Sequence, residues 1–333
     1  MRFLLNKDEL TAIASYLSKK NWLQENESLE AASIPGAGNM NYTLRLHTNQ
    51  RTFIIKQARE YVEKYPQVPA PRERAIIEGQ FYRFVQKNDL LKSFMPSLLG
   101  TDSENTILLL EDLGSSSDYT YLYKKGFDIA IEDLMLLCKF AVQLHHSFTH
   151  TETAQRISNR AMRQLNAEHI FNFPLMEDNG FDLDTILPGL QEISMSYKTD
   201  KKLKQQAQLL SKTYLDDGPC LLHGDYYPGS WLKTSGGVKI IDPEFGFFGP
   251  PEFDLSVMIA HLKMAQQPAH FITQLLAAYQ SSQKLDTLLL NRFVGIEIIR
   301  RIIGLAQLPL DLNLTERTAL LQEAYALLME NCE

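Results

Sequence analysis

The stretch LLHGDYYPGSWLKTSGGVKIIDPEFGFF, residues 221–248, carries the densest set of chemical signals in the chain. Two short apolar runs, 220–222 and 238–241, are each followed by an acidic residue, Asp225 and Asp242. A Gly-Gly pair lies between them and favours a reversal of the chain, because glycine tolerates a positive φ. The pattern therefore predicts a β-hairpin-like unit over residues 220–248 that brings two carboxylates near each other.

The composition is that of a globular protein and excludes several classes of function. The chain has 333 residues, 44% hydrophobic and 22% charged, enough for a large core in two lobes or two domains. A net charge of -7 argues against a nucleic-acid-binding or anionic-membrane-binding surface. Three widely spaced cysteines indicate neither a disulfide framework nor a zinc site. With no secretory or membrane-spanning run, we expect a cytoplasmic protein.

The N-terminal region alternates in the manner of strands. Residues 29–46 form a strand pattern that is interrupted at 34–41, and a polar turn then leads into a further strand over 52–57. We expect a three-stranded meander. Gly36 and Gly38 in the interruption would let backbone amides approach a polyphosphate, although a plain turn is the commoner explanation for Gly-x-Gly alone.

Lys56 stands in the apolar segment Phe-Ile-Ile-Lys-Gln, where its ammonium group needs an anion. About twenty residues later a helix begins near Arg74 and contains Glu78. A strand lysine paired with a helix glutamate is the arrangement by which kinases hold a lysine on the α- and β-phosphates. The alternative is that Glu78 is an ordinary surface residue of that helix.

Two further strands precede a region whose pattern is mostly helical. Strands are expected over 97–100 and 106–111, and the second runs into a polar segment at 115–118 that marks a lobe boundary and hinge. Asp254 is interpreted as a structural acceptor for backbone amides of the His223-Gly224-Asp225 loop. Helices are expected over 129–146, 190–214, 255–264, 271–282, 288–307 and 314–330.

Several stretches together resemble the 5-methylthioribose kinases, a family of the aminoglycoside phosphotransferase and choline kinase-like superfamily with the protein kinase-like fold. The segment Asp-Pro-Glu-Phe-Gly-Phe-Phe-Gly-Pro at 242–250 is similar to that family's Asp-Pro-Glu-Phe-Ala-Phe-Tyr-Gly-Pro. Further similar segments are the glycine loop 36–41, the lysine strand 55–58, the helix 74–78, the hinge 110–113 and the twin-arginine helix 299–306.

The resemblance implies an α+β, bilobal, protein kinase-like fold, with a β-rich lobe over residues 1–113 and a larger helical lobe over 114–333. It implies ATP and Mg²⁺ as cofactors, with Asp242 and Glu244 as metal ligands. Asp225 would be the catalytic residue at the acceptor hydroxyl, and Arg300 and Arg301 would bind the substrate. The residues that would bind the nucleotide are Gly36, Gly38, Asn39, Lys56, Glu78, Glu111 and Leu113.

The loop after Asp225 departs from the family pattern. Tyr226 and Tyr227 stand where the family usually has Leu and His, which leaves the acceptor open between a thio-sugar and an amino alcohol. The alternatives to a methylthioribose kinase are a choline, ethanolamine, homoserine or aminoglycoside kinase, or a nucleotide-binding pseudo-enzyme without turnover. We expect a small-molecule partner and neither nucleic acid nor membrane, and the oligomeric state stays open, with a homodimer as one option.

Overall fold

The chain folds into two compact units, which we describe from a computed structural model covering residues 2–36 and 40–332. The first unit contains Met1–Ser117 and Thr234–Phe245, and the second contains Asp118–Lys233 and Gly246–Glu333. The stretch that was predicted to form one hairpin, residues 220–248, is thus divided between the two units. Within the described residues, no helix is both long and apolar enough to cross a membrane.

The strands of the described residues are short, and most belong to the first unit or its edge. They are β1 (Leu29–Ser33), β2 (Tyr42–Thr48), β3 (Thr52–Gln57), β4 (Tyr61–Val62), β5 (Tyr65–Pro69), β6 (Leu98–Asp102), β7 (Ile107–Glu111), β8 (Ser116–Asp118), β9 (Cys220–Leu222), β10 (Trp231–Thr234), β11 (Gly237–Ile240) and β12 (Phe247–Gly249). Five of them form an antiparallel sheet in the order β1-β2-β3-β7-β6. This order confirms the predicted meander of β1, β2 and β3.

Most of the helices lie in the second unit. The helices are α1 (Leu10–Lys19), α2 (Arg74–Val85), α3 (Asp89–Phe94), α4 (Ile131–Ser147), α5 (Arg160–Ala167), α6 (Leu190–Lys198), α7 (Lys201–Leu215), α8 (Glu252–Met264), α9 (Ala269–Gln280), α10 (Thr287–Ile303) and α11 (Leu314–Met329). In the second unit, α10 packs against α8 and α11. The predicted α+β class, with a β-rich first part and a mainly helical second part, is confirmed.

The single helix predicted over 190–214 is wrong, because the chain forms α6 and α7 there. Asp200 separates them: its backbone is extended, and its side chain accepts a hydrogen bond from the backbone N–H of Leu203. An aspartate at this N-cap position satisfies one of the donors that the first turn of a helix leaves unpaired.

The predicted pairing of 220–222 with 238–241 is also wrong. Strand β9 pairs with β12, so that Leu222 lies opposite Phe247. The Gly-Gly pair instead connects β10 to β11, and Gly237 has the positive φ of +97° that such a turn requires. Asp225 therefore follows β9 in the second unit, whereas Asp242 follows β11 in the first.

The side chains of strand β3 alternate between an apolar face and a face that carries Lys56. Phe53 and Ile55 point into the core that contains Ile13 of α1. Because successive side chains of a strand point to opposite faces, Lys56 points to the other face, where it meets Glu78 of α2. The sheet thus places a charged side chain against α2 and keeps the face toward α1 apolar.

Candidate active site

Lys56 holds its ammonium group between two carboxylates of the first unit. Its Nζ donates to Oε1 of Glu78 at 3.0 Å and to Oδ1 of Asp242. Burial opposes the charge of Lys56, but the attraction of Asp242 and Glu78 outweighs burial and raises the pKa of Lys56 well above its usual value. Burial also raises the pKa of Glu78, against the opposing effect of Lys56. The lysine is therefore a fixed cation, as the sequence pattern predicted for this pair.

Asp242 and Glu244 differ in their surroundings. Asp242 has a left-handed backbone, with φ of +62°, and its side chain is 43% exposed. Glu244 is buried, and its Oε2 accepts from Nδ2 of Asn41 at 3.1 Å and lies 3.3 Å from Nε of Arg74. Burial raises the pKa of Glu244 to about 8, although Arg74 opposes this effect. Asp242 is thus the more accessible carboxylate, whereas Glu244 is buried and held by Asn41 and Arg74.

The two carboxylates fit a magnesium site completed by a nucleotide. In the described part of the chain, no group of three or more His, Cys, Asp or Glu side chains is arranged to hold a metal ion. Mg²⁺ in kinase sites usually takes one or two carboxylates, with phosphate oxygens and water as its other ligands. Asp242 and Glu244 supply hard oxygen ligands of that number and kind.

Arg74 is the buried centre of the first unit's polar network. It is completely buried, and besides the ion pair with Glu244 its guanidinium group donates to five oxygen atoms. Two of these belong to the last two residues of the glycine loop 36–41, at 2.8 Å and 3.0 Å. The five acceptors are the Oδ1 of Asn41 and the backbone oxygens of Met40, Arg59, Tyr61 and Pro71.

Replacing Arg74 by methionine is expected to lower the free energy of unfolding by about 3–5 kcal/mol, because the change removes the ion pair with Glu244 and leaves five oxygen atoms without their donor. Arg83 is the matched control, since it lies on the same helix but is exposed, with one hydrogen bond to Thr101. Arg83→Met should cost no more than about 0.5 kcal/mol. Urea titration of both variants measures the difference, and equal midpoints would contradict the role given to Arg74.

Three of the remaining residues predicted to bind the nucleotide, Glu111, Leu113 and Gly36, lie within the described residues. Glu111 ends β7 and is exposed, and its Oε2 accepts from the backbone N–H of Ser97 at 2.9 Å. Leu113 follows in the segment after the strand and is half-buried. Gly36 is exposed at the start of the glycine loop, whereas Gly38 and Asn39 lie outside the described residues. The functions of these residues stay predictions.

Asp225 is placed by a fixed turn of the second unit. Gly224 has a φ of +82°, and the backbone N–H groups of His223 and Gly224 donate to the carboxylate of Asp254 at 2.7 Å and 2.9 Å. The prediction that Asp254 is a structural acceptor for this loop is confirmed. A carboxylate that holds two successive amides restricts the backbone just before Asp225, and so restricts its side chain.

Arg301 lies directly beside Asp225, although 76 positions separate them in sequence. Its Nη2 donates to Oδ1 of Asp225 at 3.2 Å. Burial raises the pKa of Asp225, and the positive charges of Arg301 and Arg300 oppose this effect. The structure thus places Arg301 in contact with the predicted catalytic carboxylate, while Arg300 acts on it through its charge alone.

Three buried residues of this cluster were missed in the sequence. Glu297 accepts from Nε of Arg301 at 2.6 Å and from Nη1 of Arg300 at 2.9 Å. His261 lies 3.2 Å from Glu297, and Tyr123 lies 2.5 Å from the other ring nitrogen of His261. Glu297 stands three and four positions before the arginines, a helical spacing that predicts such pairs.

The two tyrosines that depart from the family pattern have different surroundings. Tyr226 is buried, and its hydroxyl donates to the backbone oxygen of Leu137 at 2.9 Å. Tyr227 places its ring 5.0 Å from the guanidinium carbon of Arg301 and 5.1 Å from the ring of His261. Tyr226 is therefore a core residue, whereas Tyr227 contacts the acceptor-site cluster.

Comparison with known proteins identifies the family of this chain. Residues 32–289 match the model of the phosphotransferase enzyme family. This chain belongs to that family. Membership of the phosphotransferase enzyme family confirms the coarser part of the predicted function, that of a phosphotransferase.

Methylthioribose kinases are among the curated proteins that are similar in sequence to this chain. The one from Exiguobacterium sibiricum is 28% identical, over 73% of this chain and 63% of that protein. The one from Bacillus velezensis is 24% identical, over 88% of this chain and 83% of that protein. The match to the first protein thus spans a little less than two thirds of its length.

Solved structures share the fold of this phosphotransferase at low sequence identity. Choline kinase LicA from Streptococcus pneumoniae aligns with a TM-score of 0.53 at 13% identity, over 96% of this chain and 98% of that chain. An AMP-bound spectinomycin phosphotransferase aligns with a TM-score of 0.56 at 13% identity, over 97% and 99%. These likenesses confirm the predicted protein kinase-like fold.

Proposed function

We propose that this phosphotransferase is a small-molecule kinase that transfers the γ-phosphoryl group of ATP to a hydroxyl group, with 5-methylthioribose as its preferred acceptor. The observation that carries the proposal is the contact between Arg301 and Asp225, 3.2 Å apart. It puts a hydrogen-bond donor for acceptor oxygens beside a carboxylate able to take a hydroxyl proton. The methylthioribose kinases among the similar proteins support the choice of acceptor.

On the nucleotide side, Lys56 binds the α- and β-phosphates while Glu78 keeps its ammonium group in place. Asp242 and Glu244 would hold Mg²⁺. When bound, the metal ion supplies positive charge that offsets the charge of the transferring phosphoryl group. Lys56 exchanges its contact with Asp242 for phosphate oxygens, so that Asp242 becomes available as a ligand.

On the acceptor side, Asp225 orients the hydroxyl group and accepts its proton as the oxygen attacks the γ-phosphorus, while the bond from that phosphorus to the bridging oxygen breaks and ADP leaves. Burial supports this task, because it raises the pKa of Asp225 and makes the carboxylate a better base than an exposed aspartate. Arg301 stays charged and donates to the acceptor from a fixed position. Together the two side chains distinguish one hydroxyl group from its neighbours.

A cationic acceptor such as choline or an aminoglycoside fits this cluster less well. Recognition of a cation favours carboxylates without cationic partners, or an aromatic cage. Here Asp225 and Glu297 each bind an arginine. The charges of the described residues therefore favour a neutral sugar.

A phosphorylation screen tests the proposal directly. With Mg-ATP, we expect methylthioribose to be phosphorylated with a kcat/KM at least roughly tenfold above choline, homoserine and an aminoglycoside, which corresponds to one well-placed charge-assisted hydrogen bond. Preferred turnover of choline would contradict the acceptor, and absence of turnover with every compound would contradict the kinase assignment.

Replacing Arg301 by methionine should then raise the acceptor KM or lower kcat/KM by roughly 10- to 100-fold and leave the KM for ATP unchanged. Arg292→Met is the matched control, since Arg292 lies on the same helix and contacts the C-terminal segment at the backbone oxygen of Glu330. Loss of ATP affinity in Arg301→Met would place Arg301 on the phosphate side instead.

A further inference from the structure

Glu297 is the central member of a buried hydrogen-bond chain that leads through Arg301 to Asp225. It is 1% exposed, and its two oxygens accept from Arg300, Arg301 and His261. Because an ionised carboxylate only accepts, Nε2 of His261 carries the proton, and Nδ1 accepts from the hydroxyl of Tyr123. The chain runs from Tyr123 on one side to Asp225 on the other.

The charges of this cluster balance. Arg300 and Arg301 carry two positive charges, and Glu297 and Asp225 carry two negative charges. The arginines outweigh burial and hold the pKa of Glu297 well below its usual value. Burial lowers the pKa of His261 to about 4, so its imidazole is neutral at pH 7 and does not upset the balance.

We infer that Glu297 is the positioning residue of the acceptor site: it fixes the arginine pair and neutralises one of its two charges, so that Asp225 remains basic and the site selects a neutral acceptor. The inference rests on the proposed function and deepens it. Without Glu297, two guanidinium groups would face a single carboxylate, and their attraction would lower the pKa of Asp225 and make it a weaker base.

The geometry supports positioning over simple neutralisation. Glu297 receives Nε of Arg301, while Nη2 of the same guanidinium group donates to Asp225. A planar guanidinium group held at Nε keeps its outer nitrogens in a fixed plane. The ring of Tyr227 lies 5.0 Å from this group and limits its rotation further. The direction of Arg301 toward Asp225 therefore depends on Glu297.

Glu297→Gln tests the inference, because it keeps the shape of the side chain and removes its charge. We expect kcat/KM for the acceptor to fall roughly 10- to 100-fold, with the KM for ATP unchanged. The acid limb of kcat/KM should move to lower pH. Within the second unit, the groups that face Asp225 are Arg300, Arg301 and Glu297 of α10, His223 of its own loop, and the hydroxyl groups of Tyr123 and Tyr214. Removing the charge of Glu297 leaves the cations in excess.

Glu323→Gln is the matched control. Its side chain is 43% exposed and pairs with Lys263, at the end of the helix that carries His261. It should leave both kinetic constants and the pH profile unchanged. A Glu297→Gln enzyme with the acceptor kinetics and acid limb of the wild type would overturn the inference, while an inactive wild type would instead contradict the proposed function.

Two measurements keep the inference testable if Glu297→Gln does not fold. Tyr123→Phe removes the last hydrogen bond of the chain without changing a charge, and should lower the acceptor kcat/KM several-fold while sparing the KM for ATP. In the wild type, nitrogen NMR should show His261 as the neutral Nε2–H tautomer at pH 7. A protonated ring, or an Nδ1–H tautomer, would overturn the hydrogen-bond chain independently of activity.

Discussion

Turnover is expected to fall by roughly 100- to 10,000-fold when Asp225 is replaced by asparagine, because the amide cannot accept the proton of the acceptor hydroxyl. ATP affinity should stay within about twofold of the wild type, since a change of twofold is well under 1 kcal/mol. The fold should persist: Arg301 keeps its hydrogen bond to Glu297, and the backbone of the loop keeps its two bonds to Asp254. Single-turnover kinetics and calorimetry with ATP measure the two effects.

Asp128→Asn provides the matched control for this substitution. Asp128 is an exposed aspartate of the same unit, and its loss of charge should change neither turnover nor ATP affinity. An Asp225→Asn enzyme that turns over at close to the wild-type rate would show that another group accepts the proton. A large loss of ATP affinity would mean that Asp225 serves the nucleotide instead.

The part of the site that could be predicted from sequence is the part whose residues stand out against their neighbours along the chain. Lys56 was predicted to need an anion because it interrupts an apolar strand, and the structure places Glu78 at 3.0 Å from it. Strands β1 to β3 followed from alternation and a polar turn. These inferences need only the neighbours of a residue along the chain, which the sequence gives directly.

The pairing of β9 could not be predicted in the same way. Strands β9 and β12 are three-residue segments, all buried, so neither has an alternation that distinguishes its partners. The Gly-Gly turn was recognised, but it joins β10 to β11. A short apolar run has several candidate partners, and packing within the second unit decides among them.

The acceptor cluster shows the same limit. Only the family resemblance linked Arg301 to Asp225, because no local pattern joins residues 76 positions apart. Glu297 could have been found, since it lies one helical turn before the arginines. His261 and Tyr123 lie on other elements, and an isolated histidine in an apolar helix is more often a core residue than a functional one. Their roles emerge only from distances.

Replacing Asp242 by asparagine is expected to lower turnover by roughly 1,000-fold, a loss of several kcal/mol of charge stabilisation in the transition state. Mg²⁺ should no longer increase ATP affinity, because the more exposed of the two carboxylates has lost its charge. Lys56 keeps Glu78 as its partner, so the nucleotide site should stay formed. Calorimetry with ATP, with and without Mg²⁺, gives this readout independently of turnover.

Comparing Asp242→Asn with Glu244→Gln shows which of the two carboxylates contributes more to Mg²⁺ binding. Glu244 is buried against Asn41 and Arg74, and a glutamine oxygen can accept the same hydrogen bonds. Its substitution should therefore raise the Mg²⁺ requirement less than Asp242→Asn does. Asp8→Asn is the matched control, because Asp8 is an exposed aspartate of the same unit, and this substitution should leave the Mg²⁺ titration unchanged. An unchanged titration for Asp242→Asn would contradict its assignment as the metal ligand, and a larger effect for Glu244→Gln would make the buried carboxylate the principal ligand.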